Sequence, residues 1–293
     1  MSSELRARLL LGPIFITLAA ALLWWDFVAG SRWGILLLAM VPVCLAAREY
    51  ATLLRGQAPG VQPKTMLLGA IIFTIGCFGA YLPEPWWDTE AIVIAAGLWC
   101  FGCCIAQLVH HACTNVSANV GATIFGGVYL GLGIGLLLAL ALKSQPDQPA
   151  WGLTFVVLAI AATKIGDICA YFGGRATGKH KMAPRISPGK TWEGFAWALA
   201  GAAGTMVAGN ALVTAIQGQP ILPSLWQQIV FGLVIGATGA LGDLVESALK
   251  RSADAKDSGS LPGFGGVLDI LDALLFTGPV ATAMIWLFDR LPT

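Results

Sequence analysis

The chain has 293 residues, 57% of them hydrophobic and 11% charged, where an ordinary soluble domain carries roughly 25% charged residues. No single soluble core could bury that much apolar sequence, so a water-soluble globular protein is excluded. The formal net charge of +1 gives no electrostatic reason for a polyanionic partner, and no nucleic-acid binding is expected.

A hydrocarbon core of ~30 Å takes about 20 apolar residues per helical crossing. Nine runs near that length succeed one another: residues 9–25, 33–47, 66–82, 91–109, 120–142, 151–171, 192–215, 226–249 and 267–288. The first lacks a small-x-small cleavage site and leads straight into further spans, so it reads as a membrane helix rather than a secretory leader. Asp26 and Arg32 flank the short loop after it and read as solvated span ends. The second run is short and the sixth contains Lys164 and Asp167, which leaves either one open to a re-entrant or tilted course. In the fourth, Cys100 and Cys103 have metal-like spacing, but no second ligand pair follows. Cysteine in such a run behaves as a small hydrophobe. His110 and His111 close the same run and read as interfacial polarity. The expected fold class is all-α: a polytopic integral membrane helix bundle with about nine transmembrane helices.

Tryptophan and the basic residues supply two further checks. Trp24, Trp25, Trp33, Trp86, Trp87, Trp151, Trp192 and Trp226 lie at or near span ends, where the indole ring is favoured. With the N-terminus inside and nine alternating crossings, the inner segments hold thirteen of the 17 Lys and Arg. These are Arg6, Arg8, Arg48, Arg55, Lys64, Arg175, Lys179, Lys181, Arg185, Lys190, Lys250, Arg251 and Lys256. The outer segments hold Arg32, Lys143 and Arg290. This bias predicts a cytoplasmic N-terminus and a multi-pass protein of the cell membrane.

Residues 1–150 are poor in intramembrane charge and rich in Gly, Ala and Leu, a composition suited to helix packing. A second copy of the chain, forming a homodimer, is a candidate partner for this half. Residues 151–293 form the half that carries chemistry, since charges stand there inside or beside the spans.

Within residues 241–272, Asp243, Glu246, Ser247 and Lys250 are three or four apart and share one helix face. A carboxylate inside a span is costly unless it faces a bundle interior or a watery cavity. Lys250-Arg251 is followed by Lys256-Asp257, then by a flexible Gly- and Ser-rich run, and then by Asp269 and Asp272, again three apart. Carboxylates hold the hard cation Mg²⁺, while lysine and arginine neutralise phosphate oxygens. Glycines let backbone N–H groups approach a phosphate. The pattern points to a metal-assisted phosphate site, against the plainer reading of an ion-paired loop joining two helices.

A second polar stretch, residues 164–193, sets Asp167 inside a span. It then places Arg175, Lys179, Lys181, Arg185 and Lys190 among Gly, Ser and Pro without an intervening acid. A basic cytoplasmic loop has the same look, but the nearby Asp167 and the run Ser187-Pro188-Gly189-Lys190-Thr191 favour a phosphate site. It is not a Walker A loop, which needs a preceding strand and a second glycine at a fixed spacing. For His180, phosphate contact and plain solvation are equally open. Lys164 is expected to pair with Asp167 at i,i+3.

At these residues the chain resembles the phosphatidate cytidylyltransferase family, also called CDP-diacylglycerol synthases. The matching signature is Ser247-Ala248-Leu249-Lys250-Arg251, four residues, Lys256-Asp257, Pro262-Gly263-Phe264-Gly265-Gly266 and Asp269-Ile270-Leu271-Asp272. Upstream, Gly242-Asp243-Leu244, Glu246-Ser247, Gly178-Lys179-His180-Lys181, the Ser187–Gly194 run and Asp167 with Ala170-Tyr171 are also similar to the family. Phe264 stands where the family usually has histidine, and Ile270 where it has arginine. Residues 164–169 depart from its tryptophan-led pattern.

The resemblance covers roughly residues 160–290. It implies a nucleotidyltransferase in which a phosphatidate oxygen attacks the α-phosphorus of CTP, releasing pyrophosphate and leaving CDP-diacylglycerol for phospholipid synthesis. The implied partners are CTP, phosphatidate and membrane lipids; the implied cofactor is Mg²⁺, with room for a second cation; the active site would face the cytoplasm. Asp243 and Asp269 are then the expected metal ligands, with Asp257 and Asp272 as further candidates. Lys250, Arg251 and Lys256 would hold the triphosphate, and Lys179, Lys181, Ser187, Lys190 and Thr191 would bind phosphates. Asp167, Glu246, Ser247 and Asp272 complete the substrate-binding set. Two rivals keep part of the pattern. A CTP-dependent polyprenol kinase would transfer the γ-phosphoryl group instead. A transporter of anions would line a pathway with these charges, though its cue of broken helices repeated in both halves is absent.

Overall fold

In lipid a backbone must satisfy its own hydrogen bonds, and each apolar run of this chain closes into one helix. The structure is a computed structural model describing residues 3–82, 84–111, 113–145, 147–255, 259 and 265–290. Among the described residues nine helices follow in order: α1 (Ser3–Ala29), α2 (Trp33–Leu54), α3 (Pro63–Ala80), α4 (Thr89–His111), α5 (Val116–Leu142), α6 (Trp151–Thr177), α7 (Trp192–Gln217), α8 (Leu225–Ser252) and α9 (Val267–Phe288). A two-stranded hairpin, β1 (Lys181–Ala183) and β2 (Ser187–Thr191), lies between α6 and α7. All nine helices are long and apolar enough to cross a membrane. Phe27, Val93, Phe101 and Ile216 are 70% to 77% exposed, a surface that suits hydrocarbon and not water. The chain is an all-α, multi-pass membrane protein.

Neither doubtful span is broken. The second run continues as helix through Arg48 and Glu49 to Leu54, because polar side chains do not interrupt the helical ladder that hydropathy alone fails to see. The sixth is one helix through Lys164 and Asp167.

The chain divides into two compact units. One contains residues 1–138 and 249–271. Its helices approach through small residues: a Cβ at Gly69 would stand 2.1 Å from the Trp99 ring, and one at Gly131 would stand 2.5 Å from the Ala70 carbonyl oxygen. Thr74 Oγ1 donates to the Gly131 carbonyl at 3.2 Å across that close approach. Asp26 is not the solvated end that its position in the sequence suggests. It is 5% exposed, and its carboxylate accepts from Ser31 Oγ (2.5 Å), Gly34 N (2.8 Å) and Ile35 N (2.7 Å). It thereby satisfies the open donors at the start of α2.

The other unit contains residues 139–248 and 272–293. Here α6 lies along α7, with Gly166 against Ala198 and Gly173 against the Trp197 ring. Helix α8 lies along α7, where a Cβ at Gly232 would fall 2.4 Å from Ala203 Cα. Asn210 Oδ1 accepts from Ile221 N and Leu222 N, both at 2.9 Å, which fixes the loop from α7 to α8.

Candidate active site

Small residues decide where the acids meet. A Cβ at Gly242 would stand 2.8 Å from the Asp272 carbonyl oxygen, so only a bare backbone lets α8 lie this close to α9. Asp243 follows directly, and Glu246 is three residues on, on the same helix face. One carboxylate oxygen each of Asp243, Glu246 and Asp272 lies within 4.8 Å of the other two. Glu246 is 1% exposed and Asp272 8%, while Asp243 is half-buried. Three carboxylates so close and so dry repel one another unless positive charge is brought to them. Oxygen donors of this kind are the set that a hard divalent cation takes.

The basic hairpin supplies one positive charge. Lys190 Nζ lies 2.7 Å from Asp243 Oδ2 and donates to the Ala240 carbonyl at 2.9 Å. The segment read as a loop in the sequence is ordered by two devices at the start of α7. Thr191 is buried, and its Oγ1 accepts from Gly194 N at 3.1 Å, so the residue expected to bind phosphate is the N-cap of α7. Glu193 accepts from the backbone N of Lys179 (3.1 Å) and His180 (3.2 Å), and its Oε1 lies 2.6 Å from His180 Nδ1. Between them the strands pair antiparallel, Lys181 opposite Thr191 and Ala183 opposite Ser187. Lys179 and Lys181 are exposed, and Ser187 is half-buried.

Helix α6 adds the remaining charges. Lys164 Nζ lies 4.0 Å from Asp167 Oδ2, the i,i+3 pair that the spacing predicts. At this level α6 lies against α8 and α9: a Cβ at Gly239 would stand 2.8 Å from Thr163 Cγ2, and Thr163 Oγ1 lies 3.4 Å from Thr277 Oγ1. Lys190, Asp243, Glu246 and Asp272 therefore form one charged group drawn from β2, α8 and α9, and Lys164 and Asp167 form a pair of their own on α6.

A separate arrangement sits in the other unit. Lys250 Nζ donates to Asp269 Oδ1 at 3.1 Å, and Asp269 Oδ2 accepts from Gly266 N at 2.9 Å. Gly265 has φ +82°, and a Cβ there would fall 2.3 Å from Asp269 Oδ2, so both backbone conformation and space require glycine. From α2, the buried Glu49 accepts from Leu268 N at 2.9 Å through its Oε2. Glu49 escapes sequence reasoning, because a lone acid beside Arg48 at a span end looks like interfacial polarity. Of the two expected metal ligands, Asp243 belongs to the three-carboxylate group, while Asp269 is engaged by Lys250 and Gly266. Arg251 is exposed and Ser247 half-buried; Lys256, Asp257 and Phe264 lie outside the described residues.

A sequence model of the Cytidylyltransferase family matches residues 6–288. The chain is 31% identical over 291 residues to the phosphatidate cytidylyltransferase of Chlamydia trachomatis serovar D, covering 97% of this chain and 93% of that protein. It is 42% identical over 154 residues to the phosphatidate cytidylyltransferase of Brucella suis biovar 1, covering 52% of this chain and 53% of that one. With the Bacillus subtilis phosphatidate cytidylyltransferase it shares 38% over 174 residues, 58% of this chain and 60% of the other. The likeness thus extends into the N-terminal helices, beyond the charged signature. The chain belongs to the cytidylyltransferase family and is a nucleotidyltransferase.

Proposed function

We propose that the protein transfers the cytidylyl group of CTP to phosphatidate, giving CDP-diacylglycerol and pyrophosphate at the cytoplasmic face of the cell membrane. The observation that carries this reading is the buried group Asp243, Glu246 and Asp272 with Lys190 set against it. The names of the three relatives given above, each a phosphatidate cytidylyltransferase, support the choice of substrates.

A non-bridging oxygen of the phosphatidate phosphate bonds to the α-phosphorus of CTP. The bond from that phosphorus to the oxygen bridging toward the β-phosphate breaks, and pyrophosphate leaves with the electron pair. Both reactants are polyanions, so the protein's work is to neutralise and position them. The phosphate nucleophile is already ionised at neutral pH, and no general base is required. Asp243, Glu246 and Asp272 would hold Mg²⁺, which supplies positive charge to phosphate oxygens when bound. This donor set replaces the pair of Asp243 and Asp269 expected from the sequence, and Asp269, with Lys250, instead fixes the first turn of α9. Lys190 sits where its ammonium can pass from Asp243 to a phosphate oxygen. Lys179 and Lys181 extend the same positive field, and Arg251 and Lys256 keep their assignment to the triphosphate, while Lys250, expected there too, is engaged by Asp269. The acyl chains stay in the bilayer and enter sideways. With the N-terminus in the cytoplasm, as the basic residues favour, the hairpin and the α8–α9 connection fall on the side where CTP is found.

Purified protein in detergent with CTP, phosphatidate and Mg²⁺ should release pyrophosphate. Release should cease without phosphatidate or with EDTA and return when Mg²⁺ is restored. Release that ignores either omission would refute the proposal.

A further inference from the structure

We infer, on the reading of Lys179, Lys181 and Lys190 as phosphate-binding groups, that Glu193 is a positioning residue for CTP. It clasps the first arm of the hairpin to the start of α7 and so holds Lys179 and Lys181 in place for the triphosphate. Glu193 is the only acid between Asp167 and Asp243, and it follows a run of five Lys or Arg. An acid so placed could neutralise those lysines, but its two oxygens are used otherwise. Oε2 accepts from Lys179 N at 3.1 Å and His180 N at 3.2 Å, and Oε1 lies 2.6 Å from His180 Nδ1. Among the described residues no ion pair joins Lys179, Lys181 or Arg185 to an acid. Their charges stay available for phosphate oxygens. His180, which the sequence leaves open, is the partner of Glu193 in this clasp.

The hairpin has other supports that keep it folded. Trp192 N donates to the His180 carbonyl at 3.0 Å and closes its base. Thr191 is buried against α6, where a Cβ at Gly174 would stand 3.1 Å from its Oγ1, and it caps α7. Lys190, on the second arm, is held separately by Asp243 Oδ2 and the Ala240 carbonyl. The bonds of Glu193 lie at the surface, where a charged pair adds little stability. They still fix where the first arm rests. Losing them should loosen Lys179 and Lys181 and leave Lys190 in place, which weakens the hold on CTP without slowing the chemical step.

The test joins amide hydrogen exchange of the full-length protein in detergent to initial rates at varied CTP, with phosphatidate and Mg²⁺ saturating. Glu193→Ala should speed exchange of the Lys179 and His180 amides by about tenfold, with melting unchanged. It should raise KM for CTP by about tenfold and leave kcat within about threefold of the wild type. Glu193→Gln keeps an acceptor oxygen for the two N–H groups and should restore most of the affinity. With Lys179→Met and Lys181→Met already in place, Glu193→Ala should raise KM no further, because the groups it positions are gone. A full further rise in that background, or a fall in kcat as large as the rise in KM, would overturn the positioning role. Unchanged exchange at both amides would overturn the clasp, and either failure leaves wild-type turnover intact. A wild type that does not turn over CTP with phosphatidate would refute the proposed function and this inference with it.

Discussion

Glu49 offers a sharp test of how the first turn of α9 is held. Its Oε2 accepts from Leu268 N at 2.9 Å, and the residue is 7% exposed, so water cannot replace the bond once it is lost. A hydrogen bond to a charged group contributes about 1.5–3 kcal/mol. A carboxylate at a helix N-terminus adds about 0.3–2 kcal/mol. Glu49→Ala removes both and should cost about 2–5 kcal/mol. Glu49→Gln keeps an acceptor oxygen in the same shape and should cost about 1 kcal/mol. The turn it holds carries Asp269, which accepts from Gly266 N and Lys250 Nζ. With about 1.4–2.8 kcal/mol of that cost falling on the transition state, at tenfold in rate per 1.4 kcal/mol, Glu49→Ala should lower kcat by roughly ten- to a hundredfold, and Glu49→Gln by less than tenfold. Thermal melting in detergent and initial rates of liponucleotide formation at saturating CTP measure both effects. Wild-type melting and turnover in Glu49→Ala would refute the reasoning. Equal damage from both substitutions would show that the charge, and not the accepting oxygen, is what α9 needs.

Asp272→Asn and Glu246→Gln each remove one of three carboxylates that meet within 4.8 Å, and should lower Mg²⁺-dependent turnover by about a hundredfold. Asp289→Asn, paired with Lys143, should stay near wild type; an Mg²⁺ titration of the three variants decides the matter. Asp26→Ala removes the acceptor for Gly34 N and Ile35 N and should cost about 1 kcal/mol of stability, read by melting. Its folded fraction should turn over as the wild type does, and a collapse of turnover would place Asp26 in the chemistry.

Much of this was legible in the residues. Apolar runs of spanning length gave the helices because hydrocarbon permits little else, and Val267 to Phe288 was read to its ends. The edges at Arg48 and Glu49 were missed because hydropathy falls where the helical backbone continues. Asp243 and Glu246 could be placed on one face from their spacing alone. Which acid of α9 stands with them could not, since Asp269 and Asp272 share one face of that helix and it is the close approach at Gly242 that brings Asp272 to Asp243 and Glu246. The hairpin was hidden by its glycine and prolines, which read as loop, and by capping from Thr191 and Glu193, whose partners are set by folding. Glu49 and Leu268 are 219 residues apart, and no local pattern joins them.

Transfer of a cytidylyl group to a lipid phosphate fixes which phosphorus of CTP reaches the lipid. Its most direct test gives the purified protein, with phosphatidate and Mg²⁺, CTP labelled in separate experiments at the α- or the γ-phosphorus. Label should enter the lipid product from α-labelled CTP alone, with the γ-label recovered in pyrophosphate. Label passing to lipid from the γ-position would contradict it and make the protein a lipid kinase.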